Sequence, residues 1–249
     1  MTSLIYGINP VLELLRARPR ETEEVLVSRK EQGLERLIQA ARNAGAQINF
    51  VSKNEIEQIT GTREHQGVAA KAPLPAPSDF EELLAKASQK TAALLLFLDQ
   101  IEDPQNLGAI IRSAECAKAD AVVIPEHRSA GITPAMHKAS AGALEWMPLA
   151  IVTNLSRALE QSKQAGFWSY AAAASGEKSF WNAEFSKKCA LVIGSEGKGI
   201  RPLVQKTCDF QVSIPLYGKV SSLNASVSAA LLLFEFRRQM GQLGSDLNF

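Results

Sequence analysis

Cysteine is scarce in this chain of 249 residues, which contains three of them. Cys116, Cys189 and Cys208 lie far apart and form no C-x-x-C pair. This spacing disfavours a zinc site and a disulfide framework, because both depend on clustered or paired cysteines. We therefore expect no bound metal, and free thiols in a reducing compartment.

Excess charge of either sign is also lacking, since the formal net charge is +1 at pH 7. A strongly basic domain is the usual electrostatic mark of nucleic-acid binding, so any such contact must come from a local patch. No apolar run reaches the length of about 18 residues that spans a membrane. The N-terminal residues lack the charged and then apolar pattern of a signal peptide. These absences predict a cytoplasmic protein.

Proline is concentrated in one stretch, 73-PLPAPSDF-80, where three prolines stand within five residues. Prolines at this density resist both helix and central strand, so residues 73–90 are predicted to be a linker. Before it, residues 1–72 alternate strand and helix patterns and predict a small α/β domain. The predicted strands are 24–28, 48–52 and 67–72, and the predicted helices are 11–16 and 33–43.

After the linker, apolar runs recur with helical segments between them over residues 91–249. The runs are nearly continuous rather than alternating, which is typical of strands buried on both faces. They predict an α/β domain with a mostly parallel sheet covered by helices. The predicted strands are 92–99, 121–125, 148–152, 167–173, 190–194 and 210–215.

The closing apolar segment, residues 222–240, has the spacing of a helix. Val227, Leu231, Phe234 and Phe236 stand among alanines in this segment. We predict that these four side chains form a buried side of the helix.

Three polar clusters interrupt the apolar framework, each where a predicted strand ends. The carboxyl ends of parallel strands form the crevice in which doubly wound sheets bind ligands. The first cluster is 99-DQIEDPQNLGAIIRSAE-115. Asn106 is placed to cap a helix, and Arg112 follows about two turns later, near the same crevice. An ordinary capped helix with a solvated arginine has the same pattern.

The second cluster, 194-GSEGKGI-200, is a glycine-rich turn after an apolar strand. Glycine lets the backbone approach a ligand closely or adopt positive φ. The spacing fits neither the G-x-G-x-x-G motif nor a Walker A loop, which requires a glycine where Val192 stands. A nucleotide-hydrolysing enzyme is thereby disfavoured. Glu196, an acid between glycines, is the candidate functional residue.

The third cluster, 214-IPLYGKVSSLNASVSAALLLFEF-236, runs from a strand end through a polar turn into the closing helix. Ser222 or Asn224 can cap that helix. One cap needs only one such residue, so the surplus of serine and asparagine indicates a site.

Together the three clusters resemble the signature motifs of the SpoU/TrmH family of the SPOUT superfamily. The motifs N-L-G-x-x-x-R, G-x-E-G-x-G and I-P-x-x-G-x-V-x-S-L-N-x-S-V correspond to residues 106–112, 194–199 and 214–227. In addition, 6-YGINPVLELL-15 and 65-HQGVAAK-71 resemble the start and end of the family's small substrate-binding domain.

The resemblance implies a trefoil-knotted methyltransferase domain over residues 91–249 that binds S-adenosylmethionine at the knot. It implies an RNA substrate-binding domain of L30e/L7Ae-like fold over residues 1–72. It also implies a homodimer, with residues of both copies near each active site. Carried over from the motifs, the catalytic residues are Asn106, Arg112, Glu196, Ser222 and Asn224, and the cofactor-binding residues, acting largely through backbone groups, are Gly194, Ile214 and Leu223.

The implied reaction is an in-line attack of a ribose 2'-hydroxyl on the sulfonium methyl group, without a metal. The family branch that this chain most resembles methylates a guanosine of 23S ribosomal RNA. A transfer-RNA 2'-O-methyltransferase and a non-catalytic RNA-binding protein of the ribosome are the alternatives.

Arg112 poses a chemical question, because a guanidinium holds its proton up to about pH 12 and is no base at neutral pH. We hypothesise that Arg112 instead clamps the target phosphate and stabilises the developing alkoxide. The residues that would position the ribose and the arginine are Asn106, Glu196, Ser222 and Asn224.

Overall fold

The structure is a computed structural model that describes residues 2–29, 32–176 and 178–241. The chain divides into two compact units. The first comprises Met1–Ala76 and Gly131–Trp146, and the second comprises Pro77–Ala130 and Met147–Phe249. No helix in the described ranges is both long enough and apolar enough to cross a membrane.

Helices and strands alternate along most of the chain, with β8, β9 and β10 in succession as the exception. Up to residue 76 they are β1 (Thr2–Tyr6), α1 (Ile8–Ala17), β2 (Glu24–Ser28), α2 (Glu35–Ala44), β3 (Gln47–Val51), α3 (Lys53–Thr60) and β4 (Val68–Pro73). After it they are α4 (Phe80–Ser88), β5 (Ala93–Asp99), α5 (Pro104–Cys116), β6 (Ala121–Pro125), α6 (Pro134–Ala139), β7 (Leu149–Val152), α7 (Leu155–Gln164), β8 (Trp168–Ala172), β9 (Lys178–Ser179), β10 (Lys188–Gly194), α8 (Pro202–Thr207), β11 (Phe210–Ser213) and α9 (Ala225–Gln239).

The first unit contains a four-stranded sheet in the order β1-β4-β2-β3. Strand β4 runs antiparallel to β1 and β2, whereas β2 and β3 are parallel. Fully buried side chains such as Ile5, Leu14, Val25 and Leu37 form its core. The predicted small α/β domain is confirmed, although the sequence patterns missed β1 and α3.

The segment 131–146 belongs to the first unit, whereas the sequence interpretation placed it with the second. It is fixed there by Glu145, whose buried carboxylate lies 2.7 Å from Arg18 Nε and 2.7 Å from His137 Nε2. Burial alone raises the pKa of Glu145, but hydrogen bonds to His137 and Arg18 outweigh it and lower that pKa. Loss of either partner would strand a buried charge, which is costly.

The second unit contains a seven-stranded sheet in the order β7-β6-β5-β10-β8-β11-β9, and each neighbouring pair is parallel. Strand β5 is buried along its whole length. The predicted α/β fold with a mostly parallel sheet is therefore confirmed. The trefoil knot stays a prediction.

Helix α4 occupies most of the stretch that the prolines marked as a linker. Phe80, Leu84 and Ala87 are buried, and the Phe80 ring packs edge-on against Phe97 with centroids 6.2 Å apart. The helix begins where Asp79 caps it, accepting a hydrogen bond from the backbone N–H of Glu82. The linker prediction thus differs from the structure because the proline signal ends before this capped helix begins.

Helix α9 packs on the sheet through one side and exposes another apolar side. Phe236 is buried as predicted, together with alanines and leucines of the same helix. The prediction is wrong for Val227, Leu231 and Phe234, which are 45%, 39% and 44% exposed. These three recur at i, i+4 and i+7 and so share one side of the helix, which we call the apolar stripe.

Candidate active site

The polar clusters meet at the carboxyl end of the central strands. Strand β10 pairs in parallel with β5, and the last residues of these strands, Gly194 and Asp99, lie opposite each other. The glycine-rich turn and the segment leading to α5 therefore start at the same sheet edge. The N-terminus of α9 reaches this edge as well, because its first residue contacts Glu196.

Glu196 is the centre of a hydrogen-bonded hub that joins all three clusters. Its Oε1 accepts hydrogen bonds from Asn106 Nδ2 at 3.1 Å, from Asn224 Nδ2, and from the backbone N–H of Ala225 at 3.2 Å. Asn224 Nδ2 also donates to Asn106 Oδ1 at 2.9 Å. Residues 90 and 118 positions apart in sequence are thus in direct contact.

Helix ends explain why these side chains are available. Asp103, not Asn106, caps α5 by accepting a hydrogen bond from the backbone N–H of Gln105, so the predicted cap at Asn106 is wrong. Asn106 lies in the first turn of α5 and is free to bond Glu196. Asn224 caps α9 through Ser226 N–H at 2.9 Å, as predicted.

The sequence motifs did not indicate one member of the hub, the first backbone N–H of α9. A peptide group has no side chain by which a sequence pattern could identify it. This N–H belongs to Ala225, and it donates to the Glu196 carboxylate. A carboxylate at a helix N-terminus is stabilised by the helix dipole and by the unpaired N–H groups there. This contact holds Glu196 at the start of α9.

The glycine-rich turn folds back tightly on itself. Gly199 N–H donates to the carbonyl of Ser195 at 2.8 Å, and Gly199 has a φ of +65°. A Cβ atom on Gly194 would lie 2.2 Å from the carbonyl carbon of Gly199, which no real side chain tolerates. Gly197, by contrast, has open space around it. Of these glycines, Gly194 is required by packing and Gly199 by conformation.

A cavity of about 370 Å³ opens beside this turn. Its size falls in the range of small-molecule sites, about 300–1,000 Å³. Apolar side chains such as Ile193, Val212 and Leu216 line it together with the backbone of the turn. Five of the predicted residues line it. They are Gly194, Glu196, Ile214, Ser222 and Leu223.

A second cavity of about 290 Å³ also borders the turn. Asn106 and Gln100 are among its lining residues. It shares Ser195, Glu196 and Lys198 with the first cavity. Glu196 therefore stands between the two spaces, where it can contact a molecule in either.

Arg112 is not brought to the hub. It is exposed on α5 and makes no hydrogen bond or ion pair with the residues that the structure describes. It lines neither of the two cavities. Six positions along a helix rotate a side chain by about 240° beyond one full turn, which carries Arg112 to a different side of α5 from Asn106.

Two stretches of the chain match known protein families. Residues 93–234 match the model of the SpoU rRNA Methylase family, and residues 4–78 match the model described as RNA 2'-O ribose methyltransferase substrate binding. The first stretch contains the motifs at residues 106–112, 194–199 and 214–227, and the second covers most of the small α/β domain.

Similar proteins match along nearly the whole chain. A Synechocystis protein named an uncharacterized tRNA/rRNA methyltransferase is 43% identical over 96% of this chain, which spans 63% of that relative's length. A Ralstonia nicotianae protein named 23S rRNA (guanosine-2'-O-)-methyltransferase RlmB is 39% identical, with 96% of each chain covered. A crystal structure titled RNA 2'-O ribose methyltransferase superposes with a TM-score of 0.78 at 30% identity, covering 96% of this chain and 89% of that one.

Proposed function

Because the chain belongs to the SpoU rRNA methylase family, it is a methyltransferase that uses S-adenosylmethionine, and we propose that it methylates the ribose 2'-hydroxyl of a guanosine in 23S ribosomal RNA. A cytoplasmic location is part of this proposal, since bacterial ribosomal RNA is there. The observation that carries the proposal is the Glu196 hub, which joins three distant motifs beside a ligand-sized cavity.

The cavity of about 370 Å³ fits the cofactor. Its apolar walls suit an adenine ring, and exposed backbone groups of the glycine-rich turn and of residues 214–223 suit the polar parts of the molecule. We assign Gly194, Ile214 and Leu223 to this binding. When bound, the cofactor supplies a sulfonium methyl group to the hydroxyl that attacks it.

The second cavity suits the target ribose, because Asn106 and Glu196 both border it. Asn106 and Asn224 hold one oxygen of the Glu196 carboxylate, and the other oxygen accepts no hydrogen bond from the described residues, so it can accept one from the 2'-hydroxyl. Holding the hydroxyl in line with the methyl group lowers the entropic part of the barrier. Ser222, in the wall of the cofactor cavity, completes the set that positions the reactants.

The apolar stripe supports a homodimer. Trp181, Tyr217 and Val220 are also exposed, and together with Leu231 they line an apolar cleft of about 390 Å³. Contiguous apolar surface of this kind marks protein interfaces. A second copy of the chain is its proposed occupant. Because Arg112 does not reach the hub of its own chain, we assign it to the active site of the other copy.

Incubation of the purified protein with labelled S-adenosylmethionine and total bacterial RNA tests the proposed function. We expect a single 2'-O-methylated guanosine in 23S RNA, mapped by the block that the modification imposes on alkaline hydrolysis. Methylation of transfer RNA instead would favour the first alternative. RNA binding without cofactor binding would favour the non-catalytic one.

Substitution Arg112→Lys tests the clamp. A lysine keeps the charge but loses the two parallel N–H donors that grip a phosphate, so we expect kcat to fall at least about tenfold. Arg157→Lys, at an exposed position of α7, is the matched control and should leave kcat unchanged. If the Arg112 variant kept more than half of the normal kcat, the clamp would be refuted.

Mixing two inactive variants shows which copy's Arg112 serves a site. Arg112→Ala lacks the arginine, and Gly194→Ala lacks a usable cofactor cavity. If Arg112 acts across the dimer, each mixed dimer has one complete site, and a re-equilibrated equimolar mixture should recover roughly a quarter of normal activity. No recovery would mean that Arg112 acts within its own chain.

Substitution Leu231→Asp tests the dimer. A carboxylate in the middle of the apolar stripe would be buried without a partner in the interface, so we expect a monomer in sedimentation experiments at micromolar concentration. Leu203→Asp, at a leucine that is 67% exposed on α8, is the control and should remain dimeric. A dimer of unchanged affinity in the Leu231 variant would place the interface elsewhere.

A further inference from the structure

Asp99 and Arg201 form an ion pair at the base of the glycine-rich turn, and we propose that this pair sets the shape of the turn and thereby positions the cofactor wall and Glu196. The Asp99 side chain is fully buried. Its Oδ1 lies 2.7 Å from Arg201 Nε and 2.7 Å from Nη2, and its Oδ2 accepts the backbone N–H of Arg201 at 2.7 Å. The carboxylate is thus bonded by side chain and backbone of one residue.

Both ends of the turn are tied to Asp99. The turn begins at Gly194, which lies opposite Asp99 in the pairing of β10 with β5. It ends at Arg201, which the Asp99 carboxylate holds. Between these points Gly194 has no space for a Cβ atom, because the backbone of Gly199 and Ile200 packs against it. Asp99, the last residue of β5, therefore holds the two ends of the turn close together.

The chain leaves Asp99 in a constrained way. The next residue, Gln100, has a φ of +63° although it is not glycine, and it is nearly buried. A left-handed conformation is unfavourable for a residue with a side chain and persists where its surroundings over-determine it. The backbone that leaves Asp99 is therefore held in a specific conformation at the carboxyl end of β5.

Asp99 is buried whereas Arg201 is partly exposed, and such a pair is a poor source of net stability, because desolvation of the carboxylate offsets its attraction to the guanidinium. Its geometry is nevertheless specific, since the planar guanidinium accepts few arrangements around a carboxylate. The function that suits such a pair is positioning. The turn it closes supplies Gly194, Ser195 and Lys198 to the cofactor cavity, and Glu196 to the hub.

This inference rests on the proposed function, and the affinity for S-adenosylmethionine tests it. Substitution Arg201→Met removes the charge and the fork while keeping an extended side chain. Calorimetric titration with the cofactor, below the melting temperature of every variant, should show a dissociation constant raised at least tenfold. Arg201→Lys, which keeps the charge, should recover part of the affinity.

Two further variants separate positioning from general weakening. Lys163→Met breaks another ion pair of the same unit, in which Lys163 Nζ lies 2.8 Å from Asp209 Oδ1, and it should lower the melting temperature with less than a twofold change in affinity. The second is the double variant Asp99→Asn with Arg201→Met. It should bind the cofactor about as weakly as Arg201→Met alone, because the two substitutions break the same interaction.

Near-normal affinity in Arg201→Met would overturn the inference, and so would additive losses in the double variant. If Arg201→Met does not fold, the affinity of Arg201→Lys decides: a value equal to that of the unaltered chain would refute a role for the guanidinium fork. Absence of cofactor binding by the unaltered chain would instead overturn the proposed function, and this inference with it.

Discussion

Replacing Gly194 by alanine is expected to abolish cofactor binding, with a loss of affinity of at least about 100-fold, or about 2.7 kcal/mol. The new Cβ would lie 2.2 Å from the carbonyl carbon and 2.4 Å from the carbonyl oxygen of Gly199. Backbone atoms cannot rotate away as a flexible side chain can, so the turn must open. Opening it deforms the wall that Gly194 and its neighbours give to the cavity of about 370 Å³.

Gly197→Ala is the matched control for this prediction. It lies in the same turn, but a Cβ there meets no atom of the described residues within 4 Å. Calorimetric titration of both variants with S-adenosylmethionine should show the loss only at Gly194, and circular dichroism should show that both remain folded. Equal binding by the two variants would mean that the turn does not form the cofactor wall.

Replacing Glu196 by alanine is expected to lower kcat at least about 100-fold, equivalent to about 2.7 kcal/mol of transition-state stabilisation. The carboxylate collects three donors, from Asn106, Asn224 and the backbone of Ala225. Without it these donors lose their shared acceptor, and neither asparagine keeps its orientation toward the reacting ribose. A misplacement of about 1 Å in such a site costs about 100-fold in rate.

A conservative variant and a control variant show whether the Glu196 carboxylate itself causes the loss of kcat. Glu196→Gln keeps one acceptor oxygen but no charge, so its kcat should lie between those of the alanine variant and the unaltered chain. Glu184→Ala removes an exposed glutamate of the same unit whose side chain makes no hydrogen bond or ion pair with the described residues, and it should have no effect. Steady-state methyl transfer to 23S RNA is the measurement. A kcat within threefold of normal for Glu196→Ala would exclude the hub from catalysis.

Strands buried on both faces were the most predictable part of this fold. The strand predicted at 121–125 has the same bounds in the structure, and the one predicted at 24–28 does as well. Runs dominated by apolar residues identify such strands because the side chains on both faces are buried. The same reasoning failed for β1, where the pattern of exposure is mixed, and for α4, where prolines just upstream dominated the local signal.

Helix α9 shows a second limit. Its sequence has apolar residues on more than one side, and spacing alone does not say which side faces the sheet. The structure buries Phe236 and exposes Val227, Leu231 and Phe234. An interface helix and a core helix have the same composition, because both bury two sides when the assembly is complete. Only the packing within one chain shows which apolar side of the helix stays exposed to solvent.

The sequence by itself determined the fold class, the small N-terminal domain and the motif residues of the candidate site, because hydrophobic period and motif spacing are local properties of the chain. The tertiary structure decided that Glu196 is the acceptor shared by the other motifs, that Arg112 stands apart from them, and that residues 131–146 pack with the first unit. It also placed Arg201 on Asp99, 102 positions away. Contacts between residues so far apart depend on how the strands are ordered in the sheet, and that order leaves no periodic trace in the sequence.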